Sequence, residues 1–134
     1  MNRRTFEKLV ERAIARIPAE FLARVENLTF QVEGWAPPEV LDEVGFDDER
    51  DLLGYYRGWA LPERGTSYGS APPDTIILYQ YAIEDYVAET GEPLIKVIRE
   101  TVVHELAHYF GFSEEEMERI EALWAGETSP GQAP

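Results

Sequence analysis

The chain opens on a helical pattern. Phe6, Leu9, Val10, Ala13, Ile14 and Ile17 recur at intervals of three and four, which puts them on one face of a helix over residues 5–16. Thr5 is a candidate cap for its start. Pro18 closes it and can open a second short helix, PAEFLARV. The next segment, LTFQVEGW (28–35), changes period. Leu28, Phe30 and Val32 alternate with Thr29, Gln31 and Glu33, the signature of a half-buried strand. Pro37 and Pro38 break that strand and lead into a short turn of helix through Val44.

Residues 45–73 carry Gly45, Gly54, Gly58, Gly65 and Gly69 with Pro62, Pro72 and Pro73. The expectation is loop, with one short strand around Tyr55–Trp59. A loop of this length inside a small domain is often functional. Its aromatics Tyr55, Tyr56, Trp59 and Tyr68 read first as anchors that hold it to the core.

Asp74–Gln80 follows, and its unbroken run Ile76, Ile77, Leu78 predicts a strand buried on both faces. A helix over roughly 81–89 ends at Gly91. Pro93 stands where the next helix begins, and that helix runs from about 93 to 110, where Gly111 is a natural C-cap. Ser113 and Glu116 have the spacing of a capping box for a last helix, with Leu123 and Trp124 its final apolar contacts. The tail GETSPGQAP is expected to be disordered. The pattern therefore predicts one α+β domain over residues 1–125 and a tail over 126–134, with no internal repeat.

Composition narrows the function. The 134 residues suffice for one real core. With 26 acidic against 12 basic residues the net charge is −14, which argues against nucleic acid and against an anionic membrane. There are no cysteines, so neither a disulfide framework nor a thiolate metal site is possible. The N-terminal helix is too charged for a signal peptide, and no stretch reaches the roughly 18 apolar residues of a membrane span. A cytoplasmic location is the expectation.

The chemistry concentrates in Thr101-Val-Val-His104-Glu105-Leu-Ala-His108-Tyr-Phe-Gly111. His104 and His108 are the only two histidines in the chain. Four residues apart on a helix, their rings point the same way. That spacing lets two imidazole nitrogens meet one Zn2+ ion at distances near ~2.0–2.1 Å. Glu105 lies about 100° round the helix from His104, beside such an ion, where a carboxylate can take a proton from an activated water and pass it to a leaving amine. The apolar stripe Ile95, Ile98, Val102, Leu106 leaves both histidines off the core face, beside Val97 and Thr101. A surface pair without function would fit that face too, but two lone histidines at ligand spacing make a poor accident.

A catalytic zinc usually has three protein ligands and a water. Without a third histidine or any cysteine, the third ligand must be acidic. The pattern H-E-x-x-H-x-x-G-x-x-H places Glu114 at its last position, with Gly111 letting the chain turn back. Glu115, Glu118, Glu121 and Glu127 are the alternatives. Glu114–Glu116 also form an acidic first helical turn, which the helix dipole favours with no metal at all.

TVVHELAHYFGFSEEEM, preceded by PPDTIILYQYAIEDY and LLGYYRGWAL, resembles the small bacterial zincin-like metallopeptidase family, the minimal zincins, over roughly residues 28–118. The resemblance implies a reduced zincin-like fold, in which a small sheet packs against an active-site helix and flanking helices. It also implies peptidase chemistry, with His104 and His108 as zinc ligands, Glu105 as base and an acidic third ligand from the following helix. The chain departs from the metzincins at Glu114, where they have histidine, and has no Met-turn.

The leading expectation is thus a zinc peptidase whose peptide substrate lies along an exposed strand edge, Asp74–Gln80 or Leu28–Gly34. Tyr109, Tyr79 or Tyr86 would stabilise the oxyanion. The alternative is a zinc-stabilised interaction module without catalysis, its ion closed by four protein ligands and its acidic face turned to a basic partner.

Overall fold

The computed structural model describes residues 1–58, 73–113, 115–120 and 122. The first helix, α1 (Arg3–Ala15), buries Phe6, Val10 and Ala13, as the periodicity requires. Its cap is Asn2, not Thr5: the Asn2 side chain accepts a hydrogen bond from the Thr5 backbone N–H at 2.8 Å. The helix starts two residues earlier than the apolar pattern because Arg3 and Arg4 add a polar first turn that hydrophobic spacing cannot register. After α2 (Ala19–Leu22) come β1 (Leu28–Glu33) and α3 (Pro38–Val44), which ends on Gly45 at φ 80°. A single 3-10 turn over Glu49–Asp51 precedes β2 (Gly54–Arg57).

The sheet is completed by β3 (Asp74–Tyr79), whose residues are all buried. Its alternate side chains serve two apolar clusters. Ile76 and Leu78 join Phe6 and Val10 of α1 in the main core, while Ile77 and Tyr79 pack with Ala36, Leu52 and Ala82 on the other face. The continuous apolar run is therefore a strand covered on both sides.

Strand order is β1-β3-β2. β1 pairs with β3 in parallel, Phe30 opposite Ile76, and β2 pairs with β3 antiparallel, Tyr56 opposite Ile76. The expectation that Asp74–Gln80 offers a free edge is therefore wrong, because β3 is the central strand. Among the described residues the edges are β1 and β2.

Two helices follow, α4 (Gln80–Thr90) and α5 (Leu94–Phe110), ending on Gly91 at φ 75° and Gly111 at φ 76°. Only glycine adopts such angles without strain. α5 packs against α1, α4, β2 and β3 and is more enclosed than its apolar stripe suggests. Val97, Thr101, Val103 and Glu105 are buried along with Ile98, Val102 and Leu106, because β2 covers the flank that spacing alone leaves open. Ser113 and Glu116 form the expected capping box: the Ser113 N–H donates to Glu116 Oε1 at 2.8 Å, and the Glu116 N–H donates to Ser113 Oγ at 3.1 Å. Residues 115–120 are helical. Trp59, Tyr68, Leu123, Trp124 and the tail 126–134 lie outside the described residues. No described helix is long and apolar enough to cross a membrane.

Candidate functional site

α5 holds its last two turns rigidly. Beyond Phe110, the Gly111 N–H donates to the His108 carbonyl at 3.0 Å and the Phe112 N–H donates to the Ala107 carbonyl at 3.0 Å. This is the Schellman pair of bonds that a left-handed glycine makes possible. Next to His108, the buried Tyr109 hydroxyl donates to the Glu26 carbonyl and accepts from the Glu26 N–H, each at 2.8 Å. This pair of hydrogen bonds to the backbone of one residue ties the end of α5 to the segment entering β1. It also removes Tyr109 from the oxyanion candidates, because its hydroxyl is committed to the backbone away from solvent.

On this support the two histidines are exposed and converge. Their Nε2 atoms are 3.2 Å apart, with the ring planes 80° to each other. Two nitrogens bonded to one tetrahedral ion at ~2.0–2.1 Å stand roughly 3.3–3.4 Å apart. The histidine pair is therefore close to the separation that a zinc ion demands.

Glu105 is placed differently. It is 7% exposed and lies under β2, in contact range of Gly54: a Cβ on Gly54 would be 3.2 Å from Glu105 Cγ and 3.4 Å from Oε2. The same Cβ would meet Thr101 Cγ2 at 2.7 Å, so the strand can lie this close only because residue 54 has no side chain. Burial pushes the Glu105 carboxyl up from its ordinary 4.5 to about 7, with His104 pulling the other way. A carboxylate that gains and loses its proton near neutrality is suited to general acid–base work.

A cleft of 400 Å³ adjoins this point. His104, Glu105, Thr101, Gly54 and Tyr86 are among the residues that line it. Tyr86 is thus the one tyrosine of the three candidates that shares a cleft with Glu105. Tyr79 is fully buried in the second apolar cluster; its hydroxyl has no hydrogen-bond partner among the described residues, and burial pushes its pKa up to about 12.

The sequence brought His104, Glu105 and His108 together correctly on one helix. It missed Gly54, whose signal was only one glycine among five in a loop-like stretch, and it missed β2 as the edge beside the helix. Glu114 lies outside the described residues, as do Glu121 and Glu127. Glu115 and Glu118 are exposed on the helical residues 115–120. Among the described residues, no three His, Asp or Glu side chains gather into a metal-ligating group.

A family model described as zincin-like metallopeptidase matches residues 25–124. A search of curated proteins finds no match.

Proposed function

The chain belongs to the zincin-like metallopeptidase family, and we propose that within it the protein is a zinc-dependent peptidase with His104, His108 and Glu114 as metal ligands and Glu105 as general base. The observation that carries this reading is the convergence of the two Nε2 atoms at 3.2 Å beside a buried carboxylate that opens onto a cleft. Zinc bound there would supply a Lewis acid that polarises the scissile carbonyl and lowers the pKa of water.

The remaining work falls to the chain. Glu105 accepts the proton of the attacking water and later delivers it to the amine leaving group. Its burial beneath Gly54 keeps competing solvent away and holds its proton affinity near neutrality. β2 packs beside α5 and, among the described residues, pairs only with β3, so its other side is the one an extended peptide would pair with. The other edge, β1, lies beyond β3 from this helix. Tyr86 lines the same cleft, and to meet a developing oxyanion its hydroxyl would leave the Glu92 carboxylate to which it is hydrogen-bonded. The alternative of a closed, non-catalytic zinc module predicts a blocked cleft, and the 400 Å³ opening beside Glu105 favours the enzyme.

Purified protein loaded with zinc and digested against a peptide library tests the proposal. About one zinc per chain is expected, lost in His104→Ala and His108→Ala. Glu105→Gln should retain zinc and lose hydrolysis. A Glu105→Gln protein that cleaves as fast as its parent removes Glu105 as the base, and a parent that takes up no zinc removes the site. Glu114→Ala should weaken zinc binding far more than Glu115→Ala.

A further inference from the structure

The cleft beside Glu105 has a chemistry that zinc peptidase activity does not require. Its inner walls are apolar, from Leu52, Leu53 and Val97. Phe46 and Tyr86 line it as well, and both rings are unusually open for large hydrophobics, at 38% and 36% exposed. The exposed charged residues that line it are Asp51 and Glu100, and among the described residues no lysine or arginine does. The nearby basic side chains are ion-paired with other acids, and Lys96 also feels the charge of Glu100. Lys96 is bound to Glu92 at 2.6 Å and Arg50 to Asp48 at 2.7 Å. Neither Asp51 nor Glu100 takes part in a salt bridge among the described residues. The inner end is Glu105, more than nine-tenths buried, with no side-chain hydrogen bond among those residues.

Apolar walls, two open aromatic rings and two exposed carboxylates in one lining suit one kind of occupant. A long aliphatic stem would cover Leu52, Leu53 and Val97, as the stems of lysine and arginine do on protein surfaces. A cationic head would lie against the rings of Phe46 and Tyr86 within reach of two carboxylates. A carboxylate head would meet only like charge, and a purely apolar side chain would leave the acids unused. The net charge of −14 also favours approach of a cationic chain.

We propose that this cleft is a specificity pocket for a lysine or arginine side chain next to the scissile bond of the substrate. The assignment rests on the peptidase reading, because His104 and Glu105 share the cleft, and it adds the substrate class to it.

The test uses capped peptides identical except at one position, which carries lysine, arginine, norleucine or glutamate. Norleucine keeps the stem of lysine and removes the charge. Cleavage rates are measured with the zinc-loaded parent, and dissociation constants by calorimetry with zinc-loaded Glu105→Gln. The lysine and arginine peptides should be preferred over norleucine by about tenfold, and glutamate should be disfavoured further. In Asp51→Asn/Glu100→Gln, whose altered residues are both exposed, the ratio of lysine to norleucine should fall towards one. Equal, reversed or absent binding of the lysine peptide overturns the proposal, as does a preference that survives the double substitution. Selective binding without cleavage by the parent would refute the peptidase reading and leave the pocket standing. Cleavage without preference would refute the pocket and leave the peptidase.

Discussion

Gly54 is one contact through which β2 meets α5, and replacing it with alanine tests that contact directly. The added Cβ would sit 2.7 Å from Thr101 Cγ2, roughly 1 Å inside the ~3.5–4.0 Å optimum for two carbons. Thr101 cannot turn away cheaply. It is β-branched on a helix, which restricts χ1, and its hydroxyl is bonded to the Val97 carbonyl at 2.8 Å. The strand must therefore lift or the helix must shift. Overpacking of this kind costs about 1–3 kcal/mol, which in a chain of this size lowers Tm by roughly 3–4 °C per kcal/mol.

The partner substitution identifies the cause. Thr101→Ser removes Cγ2 and keeps the hydroxyl, so on its own it should cost about 1 kcal/mol for a lost buried methyl. With Cγ2 gone, the next contact of the new Cβ is Glu105 Cγ at 3.2 Å, which a small side-chain adjustment relieves. Gly54→Ala in the Thr101→Ser background should then cost about 1 kcal/mol or less, a favourable coupling of roughly 1–2 kcal/mol. Urea unfolding of the four proteins, metal-free and at one pH, reads the cycle. Additive costs would refute the argument, as would a Gly54→Ala protein within about 0.5 kcal/mol of its parent.

Two further predictions concern single groups. Glu105 has its folded-state pKa raised to about 7 from 4.5, so in the metal-free protein its stabilising contribution is complete below pH 4.5 and declines as pH rises. Between those values the folded state keeps a proton that the unfolded state has released; above 7 the loss is complete, roughly 3 kcal/mol. Metal-free Glu105→Gln should therefore match the parent near pH 4.5 and exceed it by up to roughly 3 kcal/mol at pH 8, and parallel pH profiles of the two proteins in thermal unfolding would refute this. Tyr109→Phe takes from Glu26 both bonds made at 2.8 Å and should cost about 1–3 kcal/mol; an unchanged Tm would show that this tie does not hold the end of α5.

Much of the fold was legible because it follows from patterns within single segments. The run at Ile76–Leu78 predicted a strand buried on two faces, and β3 has apolar clusters on both. Gly91, Pro93 and Gly111 marked the bounds of α5, and Ser113 with Glu116 marked the next helix, because caps are made by residues a few positions apart. The misses have the same explanation turned around. Asn2 was overlooked because the first turn of α1 is polar, and apolar spacing begins only where the helix meets the core. The short strand expected around Tyr55–Trp59 is β2, Gly54–Arg57, but its four residues could not say which helix it lies against. Which strand lies in the middle of a sheet is not a property of any one strand, so β3 could be taken for an edge.

The site divides along the same line. His104 and His108 were legible because both stand on α5 and helical geometry alone sets their separation. The spacing also placed Glu105 beside them, but azimuth says nothing about what lies over a side chain. Its buried, proton-retaining character comes from β2, some fifty residues earlier in the chain, through a glycine that allows the strand to approach. The cleft is more distributed still. Phe46 follows α3, Asp51 ends the 3-10 turn, Tyr86 stands on α4 and Glu100 on α5, and no spacing rule connects them. A motif on one helix can announce a metal and a base. The proton affinity of that base and the side chain its cleft accepts depend on which other segments fold over the helix.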